Sequence, residues 1–215
     1  MLKILVLGAT GTLGKFLIGE LLEKTEHKLT AFSRHASEYY ADNEEVIGIN
    51  GDACIPEQLE NVVEGQDVVI CAISGTELPA VAESLVTLMG KKSSDRLIFM
   101  GAVGIYNEIP NYIDGDDNVN NEPAQIPNRA AVDIIEKSNL NYTVLRPGYL
   151  RYGAADDFVL TLKGESAKGY VTTLLSLANL IMQLIEDKTS YSRESISITK
   201  DMTGMTKEQM KEAEL

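Results

Sequence analysis

Cysteine is scarce in this sequence, and positive charge is outnumbered by negative charge. Two cysteines, Cys54 and Cys71, are too few for a disulfide framework or a metal site. Nineteen basic residues against 32 acidic ones give a formal net charge of −13. We therefore expect no nucleic-acid partner and no anionic membrane surface, because both need clustered Lys and Arg. A small phosphorylated ligand remains compatible, since backbone amides can hold it.

Long apolar runs are also missing. The apolar start of the chain, residues 1–7, is shorter than the hydrophobic region of a signal sequence and leads into glycines. The run at 171–185 is interrupted by polar residues, and its leucines and isoleucines recur at helical spacing. We expect no membrane-spanning segment and a location in the reducing cytoplasm.

Short β-branched runs alternate with helical patterns along the first 146 residues. Strands are predicted at 3–7, 28–33, 45–50, 67–73, 96–101 and 141–146, and helices at 12–24, 56–63, 77–90 and 127–137. Strands that are apolar on both faces and are followed by helices indicate a parallel sheet covered on two sides. The sequence predicts a doubly wound, Rossmann-type α/β fold in a single domain, residues 1–215.

The alternation weakens after Pro147. Strands at 158–162 and 195–199, a helix at 171–185 and a charged tail helix are too few for a second core. We expect residues 148–215 to carry a small C-terminal cap on the carboxyl edge of the sheet. The polar stretch 114–122 is expected to be a mobile loop.

A glycine-rich turn joins the first predicted strand to the first helix. Glycines stand at positions 8, 11 and 14 of the segment LVLGATGTLG, residues 5–14. At such a turn the N–H groups of the helix start can meet a dinucleotide pyrophosphate, and a Cβ would block the approach. A purely structural glycine turn is the alternative. The strand–turn–helix context at the head of several βα units favours dinucleotide binding.

Four segments together resemble a known family. They are GATGTLG at 8–14, GDA at 51–53, DVVICAIS at 67–74 and YTVLRPGYL at 142–150. The chain resembles the atypical short-chain dehydrogenases/reductases and, more narrowly, is similar to NmrA-like and biliverdin-reductase-B-like NAD(P)-binding proteins. The resemblance covers nearly the whole chain and implies NADP or NAD bound across the strand ends. The cofactor contacts that the glycine turn and the resemblance together predict come from Gly8, Thr10, Gly11, Thr12, Leu13, Gly14, Asp52, Ala53, Ala72, Ile73, Ser74, Gly75, Gly101 and Pro147.

The end of the second predicted strand favours NADP over NAD. An NAD site places an acidic residue there for the ribose 2′-hydroxyl, whereas this chain has Ser33 and Arg34. Arg34 can pair with a 2′-phosphate and Ser33 can donate a hydrogen bond to it. A solvated Arg34 is the alternative. The resemblance implies that Asp52 lies near the adenine amino group, although a turn-capping Asp before the 56–63 helix is equally compatible.

The usual proton-relay residues of short-chain reductases are absent. No tyrosine is followed by Lys four positions later, and the position of the family's Lys is taken by Asn128. The serines expected after the fifth strand are replaced by Gly101 and Ala102. These departures from the family pattern argue against carbonyl reduction and against sugar epimerisation, and leave the catalytic residues unknown.

Three tyrosines, Tyr106, Tyr149 and Tyr152, are expected near the nicotinamide end, where they could stack on a planar substrate. Ordinary packing is an equal alternative. The acidic residues of the 114–122 segment are expected to overhang that end and repel anionic acceptors, unless the segment is only solvated surface. His27 and His35 are isolated, so we predict no metal site.

Three functions remain open. The first is an NADPH-dependent oxidoreductase for a small flavin- or quinone-like acceptor, which can take its proton from water. The second is an NmrA-like NADP sensor that binds a protein partner without turnover. The third, a sugar-nucleotide epimerase or dehydratase, is the least favoured, because it needs the absent tyrosine.

Overall fold

The strands and helices follow from the computed structural model, which describes residues 1–91, 96–155 and 157–214, apart from the side chains of residues 91 and 214. The strands are β1 (Lys3–Leu7), β2 (Lys28–Ser33), β3 (Val46–Asn50), β4 (Val68–Cys71), β5 (Arg96–Met100), β6 (Tyr142–Pro147), β7 (Tyr149–Arg151), β8 (Phe158–Leu162), β9 (Val171–Thr173) and β10 (Glu194–Lys200). The helices are α1 (Thr12–Lys24), α2 (Ala36–Tyr39), α3 (Pro56–Val63), α4 (Leu78–Lys91), α5 (Ile126–Glu136), α6 (Leu174–Glu186) and α7 (Lys207–Glu214).

Strand β1 shows why the sheet is covered on both faces. Its side chains alternate, so Ile4 and Val6 pack into a core with α1 and α6. Leu5 and Leu7 point the other way, into a core with α3, α4 and α5. All four side chains are completely buried. A strand that is apolar on both faces is therefore needed at this position.

The order of the strands locates the site. The main sheet runs β3-β2-β1-β4-β5-β6-β10-β8, with β8 antiparallel to β10 and the other neighbours parallel. The chain builds outward from β1 first on one side, through β2 and β3, and then on the other, through β4, β5 and β6. Ligands of such sheets bind at this reversal, beyond the carboxyl ends of the strands. The predicted Rossmann-type doubly wound sheet is confirmed.

Part of residues 148–215, where the sequence predicts a small cap, joins the main sheet. Strands β8 and β10 extend the main sheet, and α6 covers one of its faces against α1. These strands add to the sheet because their backbone groups pair with β6 and with each other. Strands β7 and β9 form a separate two-stranded sheet, and a third core cluster includes Val171, Met202 and Met210. Residues 156 and 215 lie outside the described residues.

The segment 114–122, expected to be a mobile loop, is anchored. Asn118 is only 7% exposed, and its side chain both accepts from the N–H of Ile109 at 3.0 Å and donates to the Ile109 carbonyl at 2.8 Å. The N–H of Val119 donates to the Gly104 carbonyl at 3.0 Å. The buried amide pairs with both backbone groups of one residue, as a neighbouring strand would, and so fixes the segment. The polar composition of the segment does not predict this contact.

No helix within the described residues is both long and apolar enough to cross a bilayer.

Candidate functional site

The glycines of the turn between β1 and α1 have different structural roles. A Cβ on Gly14 would lie 2.3 Å from the Gly8 carbonyl oxygen and 2.8 Å from Cα of Ala9, so this residue lets helix and strand touch. Gly8 has a φ of +77°, and its Cβ would lie 2.8 Å from the Ala72 carbonyl oxygen. Gly11 has ordinary angles, with φ −75° and ψ 170°, and faces open space except for the Gly8 oxygen at 3.2 Å. Gly11 is thus the glycine that leaves room for a ligand.

The N-terminus of α1 is open toward that room. Gly11 is the N-cap residue and supplies no side-chain hydrogen bond, and the first turn carries no acidic side chain. The unpaired N–H groups and the positive end of the helix dipole therefore face outward, which is the arrangement that binds phosphate. Thr12 is exposed at the helix start, whereas the Leu13 side chain is buried in the core and supports the turn from below.

A cleft of about 470 Å³ extends from this turn across the ends of β1 to β4. It contains most of the predicted cofactor residues together with several that the sequence patterns missed. Its wall is formed by Gly8, Thr10, Gly11, Phe32, Ser33, Arg34, His35, Gly51, Asp52, Ala53, Cys54, Ala72, Ile73, Ser74, Gly75, Thr76 and Glu77. We call it the first cleft.

The end of β2 presents a hydroxyl and a free cation. The Thr10 hydroxyl donates to Oγ of Ser33 at 2.9 Å and so ties the glycine turn to β2. The exposed Arg34 guanidinium makes no hydrogen bond or ion pair to any part of the chain that the structure describes. Arg34 is therefore available to a ligand anion at the cleft wall.

Asp52 shapes a turn and also borders the first cleft. Its Oδ1 accepts from the N–H of Cys54 at 2.9 Å, and its own N–H donates to Oε1 of Gln58 at 2.8 Å, so it shapes the turn before α3. The hydrogen bond from Cys54, with a smaller contribution from the charge of Arg34, lowers the pKa of Asp52. The carboxylate also lies on the wall of the first cleft.

Two supports of this cleft were not found from the sequence. The Tyr40 hydroxyl donates to the carbonyl of Ala9 at 2.9 Å, and burial raises the pKa of Tyr40 to about 12. Gly51 is required because a Cβ would lie 2.5 Å from the ring of Phe32. Tyr40 is 31 residues from its partner, so local patterns carry no signal for it. Gly51 belongs to the GDA segment, but the sequence does not show that the ring of Phe32 leaves no room for a side chain at this position.

A second cleft, also of about 470 Å³, lies over the ends of β5 and β6. Because β5 pairs with β4, it is the next opening along the same sheet edge. Pro147, one of the predicted cofactor contacts, lines it. Gly101 is not among its lining residues, and a Cβ on Gly101 would lie 3.2 and 3.4 Å from Val132 and Val144 in the core. The wall consists of Ala102, Val103, Asp117, Glu122, Ala124, Gln125, Asn128, Pro147, Gly148, Tyr149 and Leu150.

The three tyrosines predicted near the substrate lie at different places in the structure. Tyr149 lies on the wall of the second cleft and is 71% exposed. Tyr152 lies outside that wall and packs edge-to-face on Phe16 of α1, with 6.2 Å between ring centroids.

Tyr106 lies on the wall of neither cleft, so the expectation of a substrate-side position for this residue has to be corrected. Its hydroxyl donates to Oε1 of Glu136 at 2.7 Å, and the same oxygen lies 3.1 Å from Oγ of Ser195. The Arg129 guanidinium stacks over the ring at 4.6 Å from the centroid. These partners lie far along the chain and hold Tyr106 beneath α5.

The acidic segment contributes two residues to the wall of the second cleft. Asp117 and Glu122 line it, whereas Asp114 and Asp116 do not. Burial, together with the charges of Glu122 and Asp116, raises the pKa of Asp117. Two of the positions where the family resemblance places relay residues, Ala102 and Asn128, also lie on this wall and have no acidic proton to donate.

Arg146 of the T-x-L-R-P-G segment is a structural residue. It is completely buried and forms an ion pair with Glu108, while its Nε donates to Oγ of Ser195 at 3.1 Å. A second nitrogen donates to the Thr161 carbonyl at 3.2 Å. Arg146 thereby connects β6 to β8, β10 and the segment after β5. Within the described residues, no group of three His, Cys, Asp or Glu side chains could hold a metal ion.

Comparisons with known proteins agree with this geometry. A search of curated proteins found no match. A Rossmann-fold NAD(P)-binding family protein from Shigella flexneri is 29% identical, with a TM-score of 0.79 over 96% of this chain and 95% of that one. A wide-type short-chain dehydrogenase/reductase from Veillonella parvula, in complex with NADP, is 25% identical, with a TM-score of 0.80 over 92% and 94%.

ChuY, an anaerobillin reductase from Escherichia coli O157:H7, shares the fold at 20% identity, with a TM-score of 0.74 over 92% of this chain and 97% of that one. The model of the NAD(P)H-binding family matches residues 8–188, from the glycine turn through the end of α6. Since this range includes both clefts and most of the sheet, the chain belongs to the NAD(P)H-binding family of Rossmann-fold proteins, with the features of an atypical short-chain dehydrogenase/reductase.

Proposed function

We propose that the protein is an NADPH-dependent oxidoreductase that passes hydride to a small planar acceptor of the flavin or quinone type. The observation that carries this proposal is the pairing of two clefts along one sheet edge. The first has the phosphate-binding helix end, and the second has Ala102 and Asn128 where a proton relay would stand.

The residues of the first cleft fit a dinucleotide. Gly11 leaves the approach to the N-terminus of α1 free of a side chain, and this helix end has no side-chain cap. The pyrophosphate would lie there, with the adenosine toward Asp52 and Ala53 and the ribose near Ala72 to Gly75. Arg34 and Ser33, at the end of β2, would hold the 2′-phosphate of NADP, a position where an NAD site needs a carboxylate.

The second cleft suits an acceptor that needs no acid from the protein. Bound NADPH supplies a hydride, that is two electrons and one proton, and a flavin or quinone can take its remaining proton from water. Tyr149 and Leu150 offer an exposed apolar surface for a flat ring. A carbonyl substrate needs a proton donor from the protein. General-acid catalysis at its developing alkoxide is worth about 10²–10⁴ in rate.

The experiment follows NADPH consumption against matched panels of aldehydes and ketones, flavins, and quinones. We expect turnover with flavins or quinones and negligible turnover with simple carbonyls. Brisk carbonyl reduction would contradict the proposal, because it would require a proton donor at a site where Ala102 and Asn128 stand in place of the relay residues. Tight NADPH binding with no turnover in any panel would instead favour the alternative of a nucleotide sensor with a protein partner.

The cysteines support a cytoplasmic location as part of this proposal. Cys54 and Cys71 are both free, and burial raises the pKa of Cys71 to about 12, so that its thiol is inert.

A further inference from the structure

The polar groups of the second cleft are mostly hydrogen-bond acceptors. Asp117 and Glu122 are acidic residues of the wall, and Oε1 of Glu122 already accepts from the N–H of Ala124 at 2.9 Å. Two of its backbone N–H groups are already engaged within the chain, since Val103 donates to the Pro147 carbonyl at 2.9 Å and Gly148 donates to Oγ1 of Thr172 at 2.9 Å. A ligand whose polar atoms are all acceptors would therefore find few partners here.

Asn128 adds an acceptor whose orientation is fixed by its neighbours. Its Nδ2 donates to Oε1 of Gln125 at 3.0 Å. Nε2 of Gln125 in turn donates to the carbonyls of Val103 at 3.2 Å and Asp117 at 3.4 Å. This chain of hydrogen bonds uses one of the two Nδ2 hydrogens of Asn128 and fixes the orientation of the amide, and Oδ1 of Asn128 accepts nothing from the described chain. The amide oxygen is thus left for a ligand.

From this arrangement we infer that Asn128 is a specificity-determining residue, which selects planar heterocycles that present a ring N–H and carry no anionic group. The inference rests on the proposed function for the identity of the site. The inference distinguishes flavins from quinones, which the proposed function treats as one class of acceptor. A flavin ring donates through N3–H, whereas a simple quinone carries only carbonyl acceptors. Asp117 and Glu122 add a penalty for phosphate-bearing ligands, because both acidic residues lie on the wall and their negative charges repel a phosphate.

The test compares lumiflavin with 3-methyllumiflavin, which differ by replacement of the one N–H. Their binding to the NADP⁺-loaded protein is measured by flavin fluorescence, so no turnover is needed. We expect lumiflavin to bind about tenfold more tightly, the effect of one good hydrogen bond. Asn128→Ala should weaken lumiflavin binding to the level of the methylated compound and bring the ratio near one. Asn120→Ala, an exposed residue of the neighbouring segment, should leave the ratio unchanged.

A second comparison isolates the charge effect with riboflavin and FMN, which differ by the phosphate. The parent protein should prefer riboflavin, and the double variant D117N/E122Q should lose most of that preference. The control E44Q/E45Q changes net charge equally at exposed residues just before β3, the opposite edge of the sheet, and should keep the preference.

Several results would overturn the inference. Equal affinities for lumiflavin and its methylated analogue in the parent, or a ratio that survives in Asn128→Ala, would show that Asn128 does not select the ligand. A loss of NADPH affinity in Asn128→Ala with an unchanged flavin ratio would assign the residue to the cofactor instead. Discrimination in binding without any NADPH oxidation would support the inference while contradicting the proposed turnover.

Discussion

Three glycines of one short segment should respond to substitution in three different ways. Gly11, Gly14 and Gly19 all lie at the start of α1 or within it, but their surroundings differ. A Cβ on Gly14 would meet backbone atoms at 2.3 and 2.8 Å, whereas a Cβ on Gly19 would have nothing within 4 Å. Gly11 lies between these cases, with a single contact at 3.2 Å and extended backbone angles that a β-branched residue can adopt.

The magnitudes follow from these contacts. Gly19→Ala should stabilise the protein by about 1 kcal/mol, the helix propensity difference, and raise the melting temperature by about 2–4 °C. Gly14→Ala should cost about 1–3 kcal/mol or more, because backbone atoms cannot yield as a flexible side chain would. Gly11→Val should cost about 1 kcal/mol as a poorer N-cap residue, yet it should abolish nucleotide binding by filling the approach to the helix end.

Thermal unfolding and calorimetric titration with NADPH would be run on the parent and all three variants. Loss of two charge-assisted hydrogen bonds to the pyrophosphate corresponds to about 3–6 kcal/mol, or roughly 10²–10⁴ in affinity, for Gly11→Val. A folded Gly11→Val variant that binds NADPH like the parent would refute the assignment of the turn to phosphate. A Gly14→Ala variant as stable as the parent would refute the packing argument.

Three further substitutions examine other parts of the account. Tyr149→Phe should change the maximal rate with a flavin or quinone acceptor by no more than a few-fold, because the phenol is not needed as an acid; a loss above about 100-fold would identify it as one. Tyr40→Phe should lower the free energy of unfolding by about 1 kcal/mol through loss of its buried hydrogen bond, whereas Tyr39→Phe at an exposed position should be neutral in thermal unfolding. Glu108→Ala should cost about 3–5 kcal/mol in denaturant unfolding, because it leaves the Arg146 charge buried without its partner; an unchanged midpoint would contradict that role.

Sequence patterns predicted the elements whose stabilising interactions lie between residues close together in the chain. The strand β1, the glycine turn and α1 have the predicted bounds, because apolar alternation, a tight turn and a helical stripe are all encoded within 22 residues. The residues at the ends of β2, β3 and β4 also meet in one cleft as expected. A doubly wound sheet dictates this meeting once the strand order is known.

Contacts between distant residues were beyond such patterns. Tyr106 was expected near the substrate, but it contacts Ser195 and lies beneath α5. These two residues are 89 positions apart, so no local pattern predicts their contact. Gly101 lies on the wall of neither cleft, and a Cβ on it would point toward Val132, so its contact with the cofactor stays a prediction. The buried Asn118 holds the 114–122 segment by bonding to the backbone of Ile109. No sequence pattern indicates that these two residues pair.

The most direct measurement is the calorimetric affinity of the parent protein and of Arg34→Ala for NADPH and NADH. Arg34 lies on the first cleft wall with no partner in the described chain, at the strand end where an NAD site carries an acid. We predict that the parent binds NADPH about 10- to 100-fold more tightly than NADH, the range of one charge-assisted hydrogen bond to the 2′-phosphate. Arg34→Ala should remove that preference and leave NADH affinity nearly unchanged. Equal affinities for both nucleotides in the parent, or a preference that persists in Arg34→Ala, would contradict the account.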